Sequence, residues 1–143
     1  MTDVFSESKR SYVMSRVGSQ NTAPEKIVRS HLHRRGFRFR LHGKKLPGKP
    51  DIVLPKYGAV VFVHGCFWHR HYGCRYATTP ATRTKYWNDK FRRNQERDRK
   101  QQQGLIELGW RVMIVWECEI RNFDKRKKRL KNLCNQLSSE ASK

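Results

Sequence analysis

Apolar and polar positions along the chain switch between a helical period and a strand period. Thr22, Pro24 and Glu25 form a helix start: a threonine cap, a proline in the first turn and a glutamate three residues after the cap. Ile27, Val28 and Leu32 then fall on one face, and Gly36 ends the helix. From Phe37 to Leu41 apolar and basic residues alternate, which predicts a half-buried strand. A turn at Leu46 to Pro50 leads into a short strand, Asp51 to Leu54, and Lys56-Tyr57-Gly58 turns the chain again. Ala59 to Val63 is a continuous apolar run, as in a strand covered on both faces. Residues 64–86 carry no period. A charged helix from about Trp87 to Leu108 closes at Gly109, and Trp110 to Trp116 reads as a central strand. Residues 124–137 form a basic helix with Leu130, Leu133, Cys134 and Leu137 inward. Upstream, Tyr12, Val13, Met14 and Val17 give a marginal helix within a polar N-terminal arm, residues 1–20. The order α, β, β, β, α, β, α predicts one mixed α/β domain over 1–143, with functional residues at strand ends.

Composition narrows the partners. The 143 residues carry 32 Lys+Arg against 12 Asp+Glu, a formal net charge of +20. Such a field attracts polyanions, and nucleic acid leads over an anionic membrane. No apolar run is long enough to span a bilayer, and Met1 to Arg10 lacks a signal peptide's apolar stretch. A reducing cytosol is therefore the expected location, where the 4 cysteines serve as thiols or metal ligands rather than disulfides. With 4 Trp and 7 Phe, the chain is a folded domain with a wet basic face, not a disordered basic tail.

Several residues then stand out as chemistry. Asp51 opens a strand and suits a hard divalent cation such as Mg²⁺, although Pro-Asp pairs also close ordinary turns. His64 and His69 supply imidazoles that can act as bases near neutral pH, as phosphodiester hydrolysis requires. Glu25 can orient a histidine or serve as the capping partner of Thr22, and the two roles are compatible. Phe67 and Trp68 lie in an irregular, His- and Arg-rich stretch, with Trp87 further on. Such aromatics wedge between base steps when exposed and pack cores when not. Trp110 and Trp116 read as core. His71, Cys74 and Cys118 suggest a structural zinc, with Asp98 as the expected fourth ligand and Cys66 as its competitor. Cys134 reads as a small buried hydrophobe.

These stretches together resemble a known family. Leu46 to Asp51, His64-Gly65-Cys66-Phe67-Trp68-His69, Pro80 to Thr84, Glu96 to Arg99, Leu108 to Val112 and Val115-Trp116-Glu117-Cys118 closely resemble the Vsr very-short-patch mismatch repair endonucleases. The likeness runs from about Arg10 to about Arg121. It implies a restriction-endonuclease-like fold and a bacterial, nucleoid-associated enzyme that nicks one strand 5′ to the T of a T:G mismatch left by deaminated 5-methylcytosine. It further implies Asp51 as the Mg²⁺ carboxylate with the Val63 backbone carbonyl beside it, and His69 as general base. Glu25 and His64 would support catalysis, and Phe67, Trp68 and Trp87 would be the DNA wedge. His71, Cys74, Asp98 and Cys118 would hold zinc. Position 63 is valine where threonine is familiar, a change that leaves a carbonyl ligand intact. The His71 to Cys74 spacing is one residue longer than the family's familiar one. A monomer is expected, because a single nick needs no symmetric dimer. The competing readings are a restriction-type nuclease of the same fold, a zinc-stapled DNA-binding module without catalysis, and an RNA-binding protein.

Overall fold

A computed structural model describes residues 22–74 and 77–139. The polar arm with its marginal helix lies outside the described residues. Helix α1 spans Ala23–Arg34, with the Thr22 hydroxyl accepting the Glu25 N–H and the Glu25 carboxylate accepting the Thr22 N–H, each at 3.4 Å. Val28 and Leu32 on its inner face are fully buried. Strands β1 (Arg40–Leu41), β2 (Ile52–Leu54) and β3 (Ala59–His64) form an antiparallel set, and β4 (Arg111–Trp116) joins β3 in parallel. The sheet order is β1-β2-β3-β4. The β3-to-β4 crossover contains the short helix α2 (Cys66–His69) and the long helix α3 (Thr84–Glu107). After β4 come α4 (Glu117–Arg121) and α5 (Phe123–Ser139). This is a mixed α/β fold, a four-stranded sheet between helices, of the restriction-endonuclease-like kind.

The alternation of β3 explains its apolar run. Ala59 and Val61 join Val28, Leu32, Val115, Leu133 and Leu137 in a core under α1 and α5. Val60 and Phe62 face the other way, onto Leu105 of α3, with Val112, Ile114 and Trp110 alongside. Both faces of the strand are therefore covered. His64 continues the parity of Phe62, which turns it to the α3 side of the sheet.

The predicted strand 37–41 pairs only at Arg40 and Leu41. The register would set residues 37–39 opposite 54–56, where Pro55 has no N–H and opens the tight turn Pro55–Tyr57, so they find no ladder partner. Phe37 is buried all the same, against Tyr57 with ring centroids 5.1 Å apart. Helix α3 begins three residues before the predicted Trp87. The short helices α2 and α4 were not predicted, since four or five residues are too few to display a period. The Leu46 to Pro50 turn packs on α3: a Cβ at Gly48 (φ +76°) would come within 3.1 Å of both Gln101 and Phe62. That contact fixes where the chain re-enters the sheet at Asp51. Among the described residues no helix is long and apolar enough to cross a membrane.

Candidate active site

β2 runs antiparallel to β3, so the start of β2 meets the end of β3 at one edge of the sheet. Asp51 thus arrives beside Val63, whose backbone N–H donates to the Asp51 carboxylate at 2.7 Å. On the other side β1 ends at Leu41, and His42 follows with its N–H on the Asp51 carbonyl at 3.0 Å. The His42 Nε2 lies 2.6 Å from the Glu25 carboxylate, itself 2 % exposed. Glu25, His42 and Asp51 bring their donor atoms within 4.8 Å of one another. Glu25 therefore closes the helix cap and also orients a histidine. That histidine is His42, which the sequence reading missed. Two strands joined by a Pro-Gly turn form a hairpin, and the first residue past one strand then faces the residue before the next; this pairing was the available signal. Burial raises the Asp51 carboxyl from 3.8 to about 6, and the Glu25 charge adds to it against the opposing Val63 N–H, His42 and His69.

His64 and His69 come together although α2 begins between them. Their rings stack at 3.8 Å and 9°. The His69 Nδ1 is 2.6 Å from the Asp98 carboxylate of α3. An acceptor on Nδ1 keeps the proton there and leaves the Nε2 lone pair free. His64 is 5 % exposed, and burial, helped by the neighbouring His69, lowers its pKa to about 3. It is neutral at physiological pH, and its buried Nδ1 has no hydrogen-bond partner among the described residues.

Asp98 is thereby spent on His69, and the structure does not bring it to His71, Cys74 and Cys118. Cys66 takes that place. The donor atoms of Cys66, His71, Cys74 and Cys118 all lie within 4.8 Å of one another. The His71 Nδ1 is 3.7 Å from the Cys66 sulfur and 3.3 Å from the Cys118 sulfur. A tetrahedral ion with metal–sulfur bonds of about 2.3 Å sets ligand edges of roughly 3.5–3.8 Å, so the donor set fits a soft tetrahedral metal. Burial raises both the Cys66 and Cys118 thiols, so they stay protonated on their own, and a bound metal would be what turns them into thiolate ligands. Trp116 is half-buried rather than core: its ring stacks on His71 at 4.2 Å and meets His64 edge-on at 5.3 Å. Trp110 is half-buried against the α3-side core. Cys134 is buried, as expected.

The aromatics gather beside these groups. Phe67 meets Trp68 at 5.2 Å, Trp87 at 5.9 Å and Phe91 at 5.1 Å. Phe67 and Trp68 are half-buried, whereas Trp87, expected as a third wedge, is only 6 % exposed. It supports Trp68 from beneath rather than presenting a free face.

A family model described as DNA mismatch endonuclease Vsr matches residues 2–75. The chain is 46 % identical over 125 residues to the DNA mismatch endonuclease Vsr of Escherichia coli K12, covering 87 % of this chain and 80 % of that protein. It is 50 % identical over 133 residues to the type II nicking enzyme V.XorIIP of Xanthomonas oryzae, covering 93 % and 97 %. The type II nicking enzyme V.NmeAIP of Neisseria meningitidis is 45 % identical over 137 residues, covering 96 % and 97 %. The chain belongs to the Vsr family. It is a DNA endonuclease of the mismatch and nicking kind, and its substrate is DNA. In this Vsr chain the acid–imidazole groups, the thiol cluster and the aromatic group share one edge of the sheet. The non-catalytic module is set aside by that family membership.

Proposed function

We propose that this protein nicks one strand of a mismatched duplex, 5′ to the T of a T:G pair, in very-short-patch repair. One observation carries the reading: His69, fixed through Nδ1 by Asp98, stands stacked on a neutral His64 at the strand ends where Asp51 leads into β2. Asp51, which accepts the Val63 N–H, would hold Mg²⁺ together with the Val63 backbone carbonyl, both being the oxygen donors that ion prefers. That ion would draw charge from the scissile phosphate and lower the barrier to attack. His69 takes a proton from the attacking water at Nε2, and Asp98 steadies the imidazolium that results. His64, uncharged, offers an N–H to a phosphoryl oxygen without repelling the protonated His69. Glu25 holds His42 toward Asp51 and keeps the two carboxylates from closing on each other. Zinc on Cys66, His71, Cys74 and Cys118 would pin the loop behind these groups.

Affinity comes from the basic surface, through phosphates, and so falls with salt. Discrimination comes from Phe67 and Trp68, which test how easily a base step opens; a mismatched step opens at lower cost. The protein works as a monomer, each cut touching one strand. End-labelled duplexes with one T:G mismatch, run with Mg²⁺ beside matched controls, test the reading. Cleavage of the T strand only, restricted to the mismatch and lost in Asp51→Ala, is the expected result. Equal cutting of matched DNA would leave the nuclease in place and remove the repair role.

A further inference from the structure

Arg70 sits between His69 and His71, and it is built as a junction. Its backbone is left-handed, φ 54° and ψ 61°, a region that favours glycine. This turn sends the two flanking histidines to different places, His69 to Asp98 and His71 to the thiols. The side chain then binds three separate pieces of chain. Nη1 donates to the Phe67 carbonyl at 3.3 Å and to the Thr78 carbonyl at 2.9 Å. Nη2 donates to the Ala77 carbonyl at 3.0 Å and to the Thr79 hydroxyl at 3.1 Å. The guanidinium also lies over the Phe91 ring at 4.0 Å and near the Phe67 ring at 5.9 Å. Helix α2, the 77–79 segment and α3 are thus joined through one planar fork, under the rings that support Trp68. A lysine ammonium is a point charge without that planar fork, so it cannot reproduce the arrangement.

We propose that Arg70 is a positioning residue that sets mismatch discrimination by holding the Phe67–Trp68 wedge rigid. The inference rests on the wedge reading above. Arg70 touches no reacting group; it acts on the height and stiffness of the aromatic pair. A firm wedge opens a mismatched step and fails against a well-stacked one, so the difference in opening cost becomes a difference in rate. A wedge that yields opens neither, and that difference is lost.

The test uses the full-length protein and the Arg70→Lys and Arg70→Gly variants. Glycine removes the fork while relieving the left-handed backbone, so loss of folding does not stand in for loss of positioning. Duplexes carry 2-aminopurine at the step beside a T:G mismatch, with matched controls. Wild type brightens the probe on binding and nicks the mismatched duplex selectively. Both variants are expected to bind matched duplex with wild-type affinity and salt dependence and to keep their bound zinc. Their brightening should be largely lost and the mismatched-to-matched ratio of kcat/KM should fall about tenfold, the scale of charged hydrogen bonds to one residue. Variants with wild-type brightening and ratio would overturn the assignment while leaving the wedge reading intact. Loss of zinc and of matched binding together would make Arg70 a folding residue instead. A wild type that neither brightens the probe nor discriminates would bring down the wedge reading and this inference with it.

Discussion

Replacing Asp51 by asparagine should abolish nicking and make the metal-free protein more stable. The carboxylate is largely buried, accepts one N–H from Val63 and lies among groups that include the Glu25 carboxylate. Its pKa of about 6, against 3.8 in an unperturbed carboxyl, means the folded state resists ionisation. That gap is about 2 units, so ionised Asp51 costs the fold on the order of 3 kcal/mol at pH 7, or about 1–3 kcal/mol once residual solvent screening is allowed for. Asparagine keeps an acceptor oxygen for Val63 and removes the charge. For a chain of this length each kcal/mol moves Tm by about 2–4 °C, so the variant should melt about 3–10 °C higher at pH 7.5.

The pH dependence is what makes the argument decisive. The folded carboxyl binds its proton more tightly than the unfolded one. Its contribution to stability is therefore fully present below pH 3.8 and is lost as pH rises through about 6. The gap in Tm between Asp51→Asn and wild type should be near zero at pH 4 and open between pH 4 and 6.5. Thermal unfolding by circular dichroism, in buffer without added divalent ions and without chelator, measures it; a chelator would strip the thiol cluster and confuse two sites. Adding Mg²⁺ should then raise the wild-type Tm and leave the variant unmoved. A variant less stable than wild type at pH 7.5, or a gap that ignores pH, would refute the reasoning, because the carboxylate would then be a stabilising group and not a strained one.

Four other substitutions separate the parts of the site. Cys66→Ser should drop bound zinc from one per chain to none, whereas Asp98→Asn should keep the zinc and lose nicking by 10²-fold or more, on the order of a general base's worth; metal analysis beside single-turnover rates distinguishes them. His42→Gln should cost about 1–3 kcal/mol in urea unfolding by removing the 2.6 Å partner of a buried glutamate, and should slow nicking through Asp51. In an Asp51→Asn background, stability should fall as pH drops from 6.5 toward 3, at about 1.4 kcal/mol per pH unit, because the unfolded chain protonates His64 while the folded chain does not; His64→Gln should flatten that slope. His31, also lowered by burial, acts in the same direction and sets the residual slope.

The elements legible in the sequence are those in which one physical rule governs a long enough stretch. The apolar run of β3, the capped start of α1 and the inward leucines of α5 each repeat a signal several times over. The candidates readable from sequence were those whose residue type restricts their chemistry, Asp51, His64 and His69, and the fold carries these to neighbouring strand ends. It was not legible where identity is shared and only distance decides. Cys66 and Asp98 were both plausible fourth ligands by type. What separated them is that α3 carries Asp98 to the His69 imidazole, while the first turn after β3 carries Cys66 toward Cys118, whose N–H donates to the Cys66 sulfur at 3.4 Å. Spacing along the chain contains neither fact. Trp87, expected as a wedge, is buried for the same reason: Phe67 arrives over it from α2, while Phe91 packs on it from one turn further along α3.

The four residues of α2 explain why these groups cannot be treated as independent. A single helical turn has no stability of its own, since nucleation fixes several residues for one hydrogen bond. Each side chain here is instead secured elsewhere: Cys66 in the thiol cluster, Phe67 and Trp68 in the aromatic group, His69 on Asp98. The turn exists because its outward attachments hold it. Cys66, the Phe67–Trp68 pair and His69 are consecutive and therefore share one geometry, and a shift at any of them is transmitted to the others through a segment too short to absorb it. The ring contacts from His71 through Trp116 to His64 add a second path between the thiol cluster and the stacked His64–His69 pair. A metal bound at the thiol cluster would be structural in a specific sense: it would fix the position of the turn that carries His69.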